Sequence, residues 1–215
     1  GIDKALVENG LFSTGEIIEI ESNTFDNPEY YANQRKHAIK VNFLSPLLGS
    51  TEFVYEQSIK PGKSWEAALG IIGLGIDQQE INPGGVYGKF AFKFLRNPDF
   101  YMHNMRYSHL LKGAYFAPEI AMRYMAYDKN NYYYDYNYNY YNSNERTNNF
   151  SLAIILKLGK QWVFDDSFVL DIYGGLGYGF GGNEDEGLTY GFIVGPDYVP
   201  IAFTSGVRIG WVFGK

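Results

Sequence analysis

Cysteine is absent from the sequence. Its absence excludes a disulfide framework, a thiolate metal site, a cysteine nucleophile and a lipidated N-terminal cysteine. No stretch approaches about eighteen consecutive apolar residues, so the sequence contains no candidate transmembrane helix. Long basic runs are also absent and the formal net charge is −6, which argues against nucleic acid as a partner because binding it needs a basic surface.

Aromatic residues and glycine are abundant instead. The 215 residues include 20 Tyr, 16 Phe and 25 Gly. The mean hydropathy of −0.26 suits a soluble protein and equally a membrane β-barrel, because a spanning β-strand needs only about ten alternating residues. The chain starts at Gly1 and not at Met, as expected of a processed product of an exported protein.

From about Arg35 onward, the chain divides into segments with a period of two, which is typical of β-strands. In residues 201–213, bulky residues such as Ile209 and Trp211 alternate with smaller or charged ones such as Arg208 and Gly210. The same division recurs in Ile39–Phe43, Phe53–Tyr55, Trp65–Ile71, Phe90–Phe94, Phe116–Tyr124, Phe150–Leu158 and Leu170–Tyr178. Eight segments predict an all-β fold, an eight-stranded antiparallel up-and-down transmembrane β-barrel over residues 35–215.

The connections between these segments alternate in length. Lys60–Lys63 and Asp165–Ser167 are tight turns, and the longer connections are Asp77–Gly85, Asp128–Asn149 and Gly182–Pro200. This pattern is typical of outer-membrane barrels, whose long loops lie outside the cell. Two connections fit less well, because Ser45–Thr51 is short for an external loop and Asn97–Gly113 is long for a periplasmic turn. The latter is a candidate for a short helix lying along the rim.

The character of the second face decides which face lies inside. A soluble lipocalin-like carrier would show the same alternation with its apolar face around a cavity. Here the second face consists of Gly, Ala and Ser with isolated charges of both signs, as a narrow eight-stranded interior requires. These candidate interior charges are Lys40, Glu56, Glu66, Lys89, Lys93, Glu119, Arg123, Lys157, Asp171 and Arg208. The bulky face, by contrast, is almost uncharged, which suits lipid.

Aromatic residues near the strand ends are expected to form the girdles at the membrane interfaces. The candidates are Trp65, Tyr87, Tyr115, Tyr124, Trp162, Phe164, Trp211 and Phe213. The interior charges are expected to form a salt-bridged plug and not an open channel, because an eight-stranded interior is just wide enough for its side chains. Glu119 and Arg123, four residues apart on one strand, are expected to belong to this network.

Signals for an enzyme are weak. The three histidines, His37, His103 and His109, do not have a metal-ligand spacing. Residues 174–182 are Gly-rich but lack the Lys-Ser/Thr of a phosphate loop. We therefore expect no catalytic site, no cofactor and no metal site.

Four segments resemble the small outer-membrane barrels of Bacteroidota: Lys40–Ser50, Tyr55-Glu56, Lys112–Tyr124 and Gln161–Gly179. The resemblance covers about residues 36–215, and many members of this family are described only by a domain of unknown function. It implies an outer-membrane location and the general shape of OmpA, OmpX or OmpW barrels, but no activity. The N-terminal segment and a Tyr-rich segment have no counterpart in this pattern.

These two segments are candidates for binding a partner. Residues 127–149 consist largely of Tyr and Asn, and their candidate contact residues are Tyr132, Tyr133, Tyr134, Tyr136, Tyr138, Tyr140 and Tyr141. They form either an external docking loop or a hairpin that continues two strands above the membrane. Residues 1–34 are acidic and would form a periplasmic arm. Within this arm, Gly15–Ser22 could pair with an edge strand of a partner, or the arm could lie on the surface.

The leading hypothesis is a non-enzymatic, integral outer-membrane barrel that serves as a structural or accessory subunit of a larger cell-envelope complex. That complex would act in barrel assembly, secretion or nutrient uptake. The expected partners are outer-membrane lipid, including lipopolysaccharide, and one or more proteins. The alternatives are a small-ligand channel or sensor of the OmpW type and a soluble lipocalin-like carrier.

Overall fold

The computed structural model describes residues 33–77, 81–96, 109–134, 140–181, 189–196 and 198–214, with the backbone alone for 130–134 and 140–144. The N-terminal arm expected over residues 1–34 therefore lies outside the described residues, except for positions 33 and 34. The side chains of the seven candidate contact tyrosines also lie outside them.

The described part of the chain is an all-β structure. Its strands are β1 His37–Asn42, β2 Ser50–Lys60, β3 Lys63–Ile72, β4 Gly84–Arg96, β5 Gly113–Tyr134, β6 Tyr140–Phe164, β7 Phe168–Phe180, β8 Ile193–Val194 and β9 Ile201–Phe213, with a 3-10 helix at Ser45–Leu48. All nine strands belong to one antiparallel sheet, and the eight other than β8 form a barrel that closes through the pairing of β1 with β9. The predicted eight-stranded antiparallel barrel is confirmed. No helix among the described residues is long and apolar enough to cross a membrane.

The register of the sheet fixes the geometry of closure. Across the closing pair, Ala38 lies opposite Val212. Followed the other way around the barrel, from β1 through β2 to β7 in turn, the residues paired in register lead from Ala38 to Ala202 of β9. The sheet therefore closes with a stagger of ten residues along β9. A stagger of this size in eight strands tilts them by about 40° to the barrel axis.

The barrel has two different ends. The terminal rim carries the start of β1, the end of β9 and the connections β2–β3, β4–β5 and β6–β7, and the loop rim carries the other connections. At the terminal rim, β2 and β3 are joined through Pro61 and Gly62, and Gly62 has a φ of 78° that favours glycine. Asp165 and Asp166 have φ values of 49° and 52°, as short Asp-containing turns allow. Both predicted tight turns are confirmed.

The wall is incomplete beside β1, which has only six residues. The Phe43 N–H donates to the Val207 carbonyl at 2.8 Å, and the chain then leaves the wall for the 3-10 helix. Above this point β8 pairs with β9, with Ile193 opposite Phe203. Beyond the end of β1, β8 therefore takes the edge of β9, and the Val194 side chain packs among inward residues of the barrel.

The longest strands are β5 and β6, which extend beyond the barrel as a hairpin. Their register continues to the pair Tyr134 and Tyr140, so both flanks of the Tyr-rich segment are paired backbone. The paired flanks agree with the second alternative for residues 127–149, a hairpin that continues β5 and β6. That this hairpin docks a partner stays a prediction. The short helix expected within Asn97–Gly113 falls mainly on residues 97–108, which lie outside the described residues.

The two faces of the wall differ as the alternation predicts. Large apolar side chains such as Ile39, Leu158 and Leu176 point outward and are exposed. The expected girdle needs a correction, however, because Tyr87 and Tyr115 are only 1 % and 5 % exposed and lie inside the barrel. Both residues occupy inward positions of β4 and β5, and the parity of the strand overrides their closeness to a strand end.

Candidate functional site

The interior of the barrel holds a network of ion pairs, which is the candidate functional site. It contains the cations Lys40, Lys89, Lys93, Lys157 and Arg208 and the carboxylates Glu52, Glu56, Glu66, Glu119 and Asp171. All ten side chains are buried. Five positive and five negative charges give the network a formal charge of zero.

Glu66 of β3 is the centre of the network. Its Oε2 atom lies 3.0 Å from Lys40 Nζ and 2.8 Å from Lys93 Nζ. Its Oε1 atom lies 2.9 Å from Lys157 Nζ and 2.7 Å from Arg208 Nη1. One carboxylate therefore contacts four cations that come from four different strands.

Towards the terminal rim, two ammonium groups share one set of acceptors. Lys40 Nζ donates to Glu56 at 2.6 Å and to Asp171 at 3.0 Å, and Lys93 Nζ donates to the same two carboxylates at 3.2 and 3.0 Å. Both also donate to Gln161 Oε1, at 3.1 and 2.9 Å. Asp171 accepts a further hydrogen bond from the Tyr115 hydroxyl at 2.8 Å.

Towards the loop rim, Glu52 is the main acceptor. The Arg208 guanidinium donates to its Oε1 from Nε and Nη2, at 3.0 and 2.8 Å, while Lys89 Nζ lies 2.7 Å from its Oε2. Glu119 Oε2 lies 2.6 Å from Lys157 Nζ. Buried charges need such partners, because desolvation of an unpaired ion costs several kcal/mol.

The structure places nine of the ten sequence-predicted interior residues in this network and Arg123 outside it. Sequence reasoning missed Glu52 and Gln161. The signal for Glu52 was available, because it lies four residues before Glu56 on the same face of β2. Gln161 also occupies an inward position of β6, but as a neutral residue it does not stand out in a search for charges.

Three inward tyrosines pack beside the network, each on a glycine of the neighbouring strand. The register pairs Tyr87 with Gly70, Tyr115 with Gly159 and Tyr173 with Gly206. A Cβ atom added at Gly70 would lie only 1.9 Å from the Tyr87 ring, so this glycine provides the space that the ring fills. The Tyr173 ring also lies under Arg208, whose Cζ is 4.2 Å from the ring centroid, at cation–π distance.

Arg123 holds a segment of the β7–β9 connection inside the loop end of the barrel. Its Nη1 donates to the carbonyls of Tyr190 and Phe192 at 3.0 and 2.9 Å, and its Cζ lies 5.0 Å from the Phe192 ring centroid. Phe192 and Val194 pack among inward residues of the wall. Residues 190–194 therefore close the loop end of the interior, and Arg123 is the residue that fixes them.

His109 and Leu111 close the opposite end. Leu111 is fully buried among Ala38, Val163 and neighbouring inward residues. The Leu111 N–H donates to His109 Nδ1 at 3.0 Å, and His109 Nε2 lies 2.9 Å from Asp166 Oδ1. Burial lowers the pKa of His109 from 6.5 although Asp166 opposes the shift. The neutral ring fits this position, because Nδ1 accepts a hydrogen bond and so leaves the proton on Nε2.

The interior is thus closed at both ends and filled by a charge-compensated network in the middle. Within the described ranges, no group of three or more His, Cys, Asp or Glu residues could hold a metal ion. A pocket of about 240 Å³ opens on the loop rim between Gly49, Gly73 and Asn82. Among its described lining residues, Asp77 is the one carboxylate, and it accepts a hydrogen bond from the Asn82 N–H at 3.0 Å.

Comparison with known proteins adds little to this geometry. No family model and no curated protein matches the chain. A solved structure that matches is the N-terminal β-barrel domain of OprF from Pseudomonas aeruginosa, at 9 % sequence identity and a TM-score of 0.44. The match covers 84 % of this chain and 98 % of that domain. At this identity the likeness concerns the fold alone.

Proposed function

We propose that this protein is an integral barrel of the outer membrane with a structural or accessory role in a larger cell-envelope complex. The observation that carries the proposal is the contrast between an apolar, exposed wall and a filled, charge-compensated interior. An exposed apolar band around a whole barrel would aggregate in water, whereas a closed barrel of tilted strands is the form in which β-structure crosses a bilayer.

The outward face supports the membrane location strand by strand. Leu156 lies near the middle of the barrel part of β6, between Pro118 and Leu176 of the neighbouring strands, and all three point outward. Single-chain barrels of this size are characteristic of bacterial outer membranes. Outer-membrane lipid, including lipopolysaccharide, would then surround the wall, in agreement with the resemblance to the small barrels of Bacteroidota.

The filled interior favours an accessory role over transport or catalysis. Arg208 and Lys157 both contact Glu66 at the centre of the barrel, and the three side chains occupy the space that a pore would need. The β5–β6 hairpin extends beyond the loop rim and presents a Tyr-rich segment. Tyrosine is favoured at recognition surfaces because it offers a large contact area at a low cost in rotamer entropy. We assign this hairpin the contact with a partner protein in barrel assembly, secretion or nutrient uptake.

Membrane fractionation combined with heat-modifiability on a gel tests the location. The wild-type chain is expected in the outer-membrane fraction, with a faster-migrating folded form before boiling. Leu156→Arg should reduce the folded fraction, because a cation near the midplane costs about 2–4 kcal/mol. Asn148→Arg is the matched control, because Asn148 also points outward but lies in the hairpin above the band. Recovery of the wild-type chain in the aqueous fraction would establish the soluble carrier instead.

Purification in mild detergent tests the accessory role. A partner should co-purify in a fixed ratio and be lost when residues 132–141 are replaced by a short Gly-Ser turn. A solitary monomer in every detergent would refute the role. Single-channel conductance above background would instead favour the channel or sensor alternative. Conduction through the barrel would require residues 190–194 to leave the interior.

A further inference from the structure

The described charged residues are distributed unequally between the two rims of the barrel. Near the loop rim, the described charged residues are Asp77, Asp128, Lys129, Glu145 and Arg146. Near the terminal rim they are Arg35, Lys36, Lys60, Lys63, Arg96, Lys112, Lys160, Asp165 and Asp166. Seven cations against two carboxylates make the described part of the terminal rim strongly basic.

Four of these cations form a belt on the outside of the wall. Lys60, Lys63, Arg96 and Lys160, here called the basic belt, belong to β2, β3, β4 and β6. Lys63, Arg96 and Lys160 share the outward face of their strands with Trp65, Phe94 and Trp162 by the alternation of the wall. Lys60 is exposed at the end of β2. The belt therefore lies where the wall would leave the membrane.

Aromatic rings accompany the belt. Lys63 Nζ lies 5.6 Å from the centroid of the Phe94 ring, and Lys160 Nζ lies 5.4 Å from that of Trp162. The Phe94 ring stacks on Phe116 at a centroid distance of 4.8 Å. Long cationic side chains that lie along rings and end in a charge are typical of the interface between acyl chains and headgroups.

The register brings two belt cations to either side of a small residue. Arg96 pairs with Ala114, and Ala114 pairs with Lys160. Because neighbouring strands lie about 4.8 Å apart, the Cα atoms of Arg96 and Lys160 are separated by about 10 Å. The exposed Ala114 methyl group leaves room between them, and a phosphate group above it would be within reach of the guanidinium and the ammonium. The described outward residues of β3, β4, β5 and β6 include no carboxylate at this rim.

We propose that the basic belt binds the phosphate groups of anionic phospholipids in the leaflet that meets the terminal rim. This inference rests on the proposed membrane location and adds the class of lipid. The basic belt selects the headgroup and the aromatic rings set its depth, whereas the described charges of the loop rim sum to −1 and offer no comparable attraction for an anionic bilayer.

Tryptophan fluorescence offers a direct test, because all three tryptophans lie near this rim. Trp65, Trp162 and Trp211 are at most three residues from the terminal-rim ends of β3, β6 and β9. The full chain is reconstituted in phosphatidylcholine vesicles that contain brominated phosphatidylglycerol or brominated phosphatidylcholine. Quenching should show a preference for phosphatidylglycerol on the order of fivefold, since one basic residue at a surface contributes about that factor. The preference should fall at 1 M salt by screening (about 3 Å Debye length).

A fourfold variant removes the charges of the basic belt: Lys60→Gln/Lys63→Gln/Arg96→Gln/Lys160→Gln. It should lose the preference for phosphatidylglycerol, while its tryptophans should still be quenched by both brominated lipids. Lys129→Gln/Arg146→Gln, at the loop rim, is the control and should keep both. Equal quenching of the wild-type chain by the two lipids would overturn the inference and leave the membrane location intact. Absence of quenching by either lipid would refute the location itself. If the fourfold variant does not fold, the salt dependence of the wild-type preference decides, because a preference that persists at 1 M salt contradicts a charge-based site.

Discussion

Glu56 and Glu66 are directly opposite one another in the register of β2 and β3, and both contact the same two ammonium groups, those of Lys40 and Lys93. Two carboxylates at such a position repel each other. The lysines, which come from β1 and β4, bridge them from the two sides. Neither lysine can be removed without exposing this repulsion, so the stability of the barrel depends on the balance of its interior charges.

Glu66→Gln should therefore be the most destabilising single substitution in the network. It removes the carboxylate shared by four cations and leaves one positive charge uncompensated in a buried site, at a cost of about 3–5 kcal/mol. Urea unfolding in detergent micelles, followed by loss of heat-modifiability, measures the change. Glu145→Gln, in the exposed part of the hairpin, is the control and should change the free energy of unfolding by less than about 0.5 kcal/mol. An unchanged midpoint for Glu66→Gln would contradict the central role of this residue.

The contact between Lys157 and Glu119 can be isolated by a double-mutant cycle. Lys157→Met and Glu119→Gln should each destabilise the barrel. The double variant should lose less than the sum, by about 1–3 kcal/mol, because the two charges disappear together. Simple additivity of the two effects would show that Lys157 is compensated by Glu66 alone.

Gly70→Ala tests the packing of Tyr87. The added methyl group would overlap the ring, and the ring has no room to move, because a Cβ on Gly191 at its other side would lie only 2.7 Å from it. Overpacking of this kind costs about 1–3 kcal/mol. Gly88→Ala is the matched control, since Gly88 lies on the same strand as Tyr87 but its nearest neighbour would be 3.9 Å away. Equal stability of the two variants would show that the ring is not confined.

Acidification should weaken closure of the terminal rim through His109. Because burial lowers its pKa in the folded chain below 6.5, folding favours the neutral ring. This contribution to stability is fully present above pH 6.5 and is lost as the pH falls through the folded pKa. Unfolding midpoints at pH 8 and pH 5 should differ more for the wild-type chain than for His109→Gln. The same pH dependence in both proteins would exclude His109 as its source.

Strand parity explains how much of this structure the sequence could predict. The alternation with bulky outward residues predicts that Lys40, Lys157 and Asp171 lie in the interior, and this signal depends only on neighbours in the chain. The same rule places Tyr87 and Tyr115 inside, but their closeness to strand ends suggested a girdle. Parity is the stronger guide, because a one-residue shift would turn a whole strand over.

The role of Arg123 could not be predicted in this way. Its partners are the backbone carbonyls of Tyr190 and Phe192, which lie 67 and 69 residues further along the chain. Backbone acceptors leave no trace in the residue types, and residues 190–194 have no long alternating pattern. The shortness of β1 was hidden for a related reason, since Phe43 continues the alternation although it already leaves the wall.

The seam between β1 and β9 has a consequence for how the barrel assembles. It joins the two ends of the sheet through six residue pairs, whereas β5 and β6 share twenty-two. Neighbouring hairpins can form early from local contacts, and β1–β3 then bring Lys40 to Glu66. Arg208 lies on β9, on the far side of the seam, and reaches Glu66 only when the sheet closes. Before closure Glu66 would lack this cation in a medium that solvates ions poorly. Closure of the sheet and charge compensation of Glu66 are therefore one cooperative event, and barrels with an open β1–β9 seam should be sparsely populated.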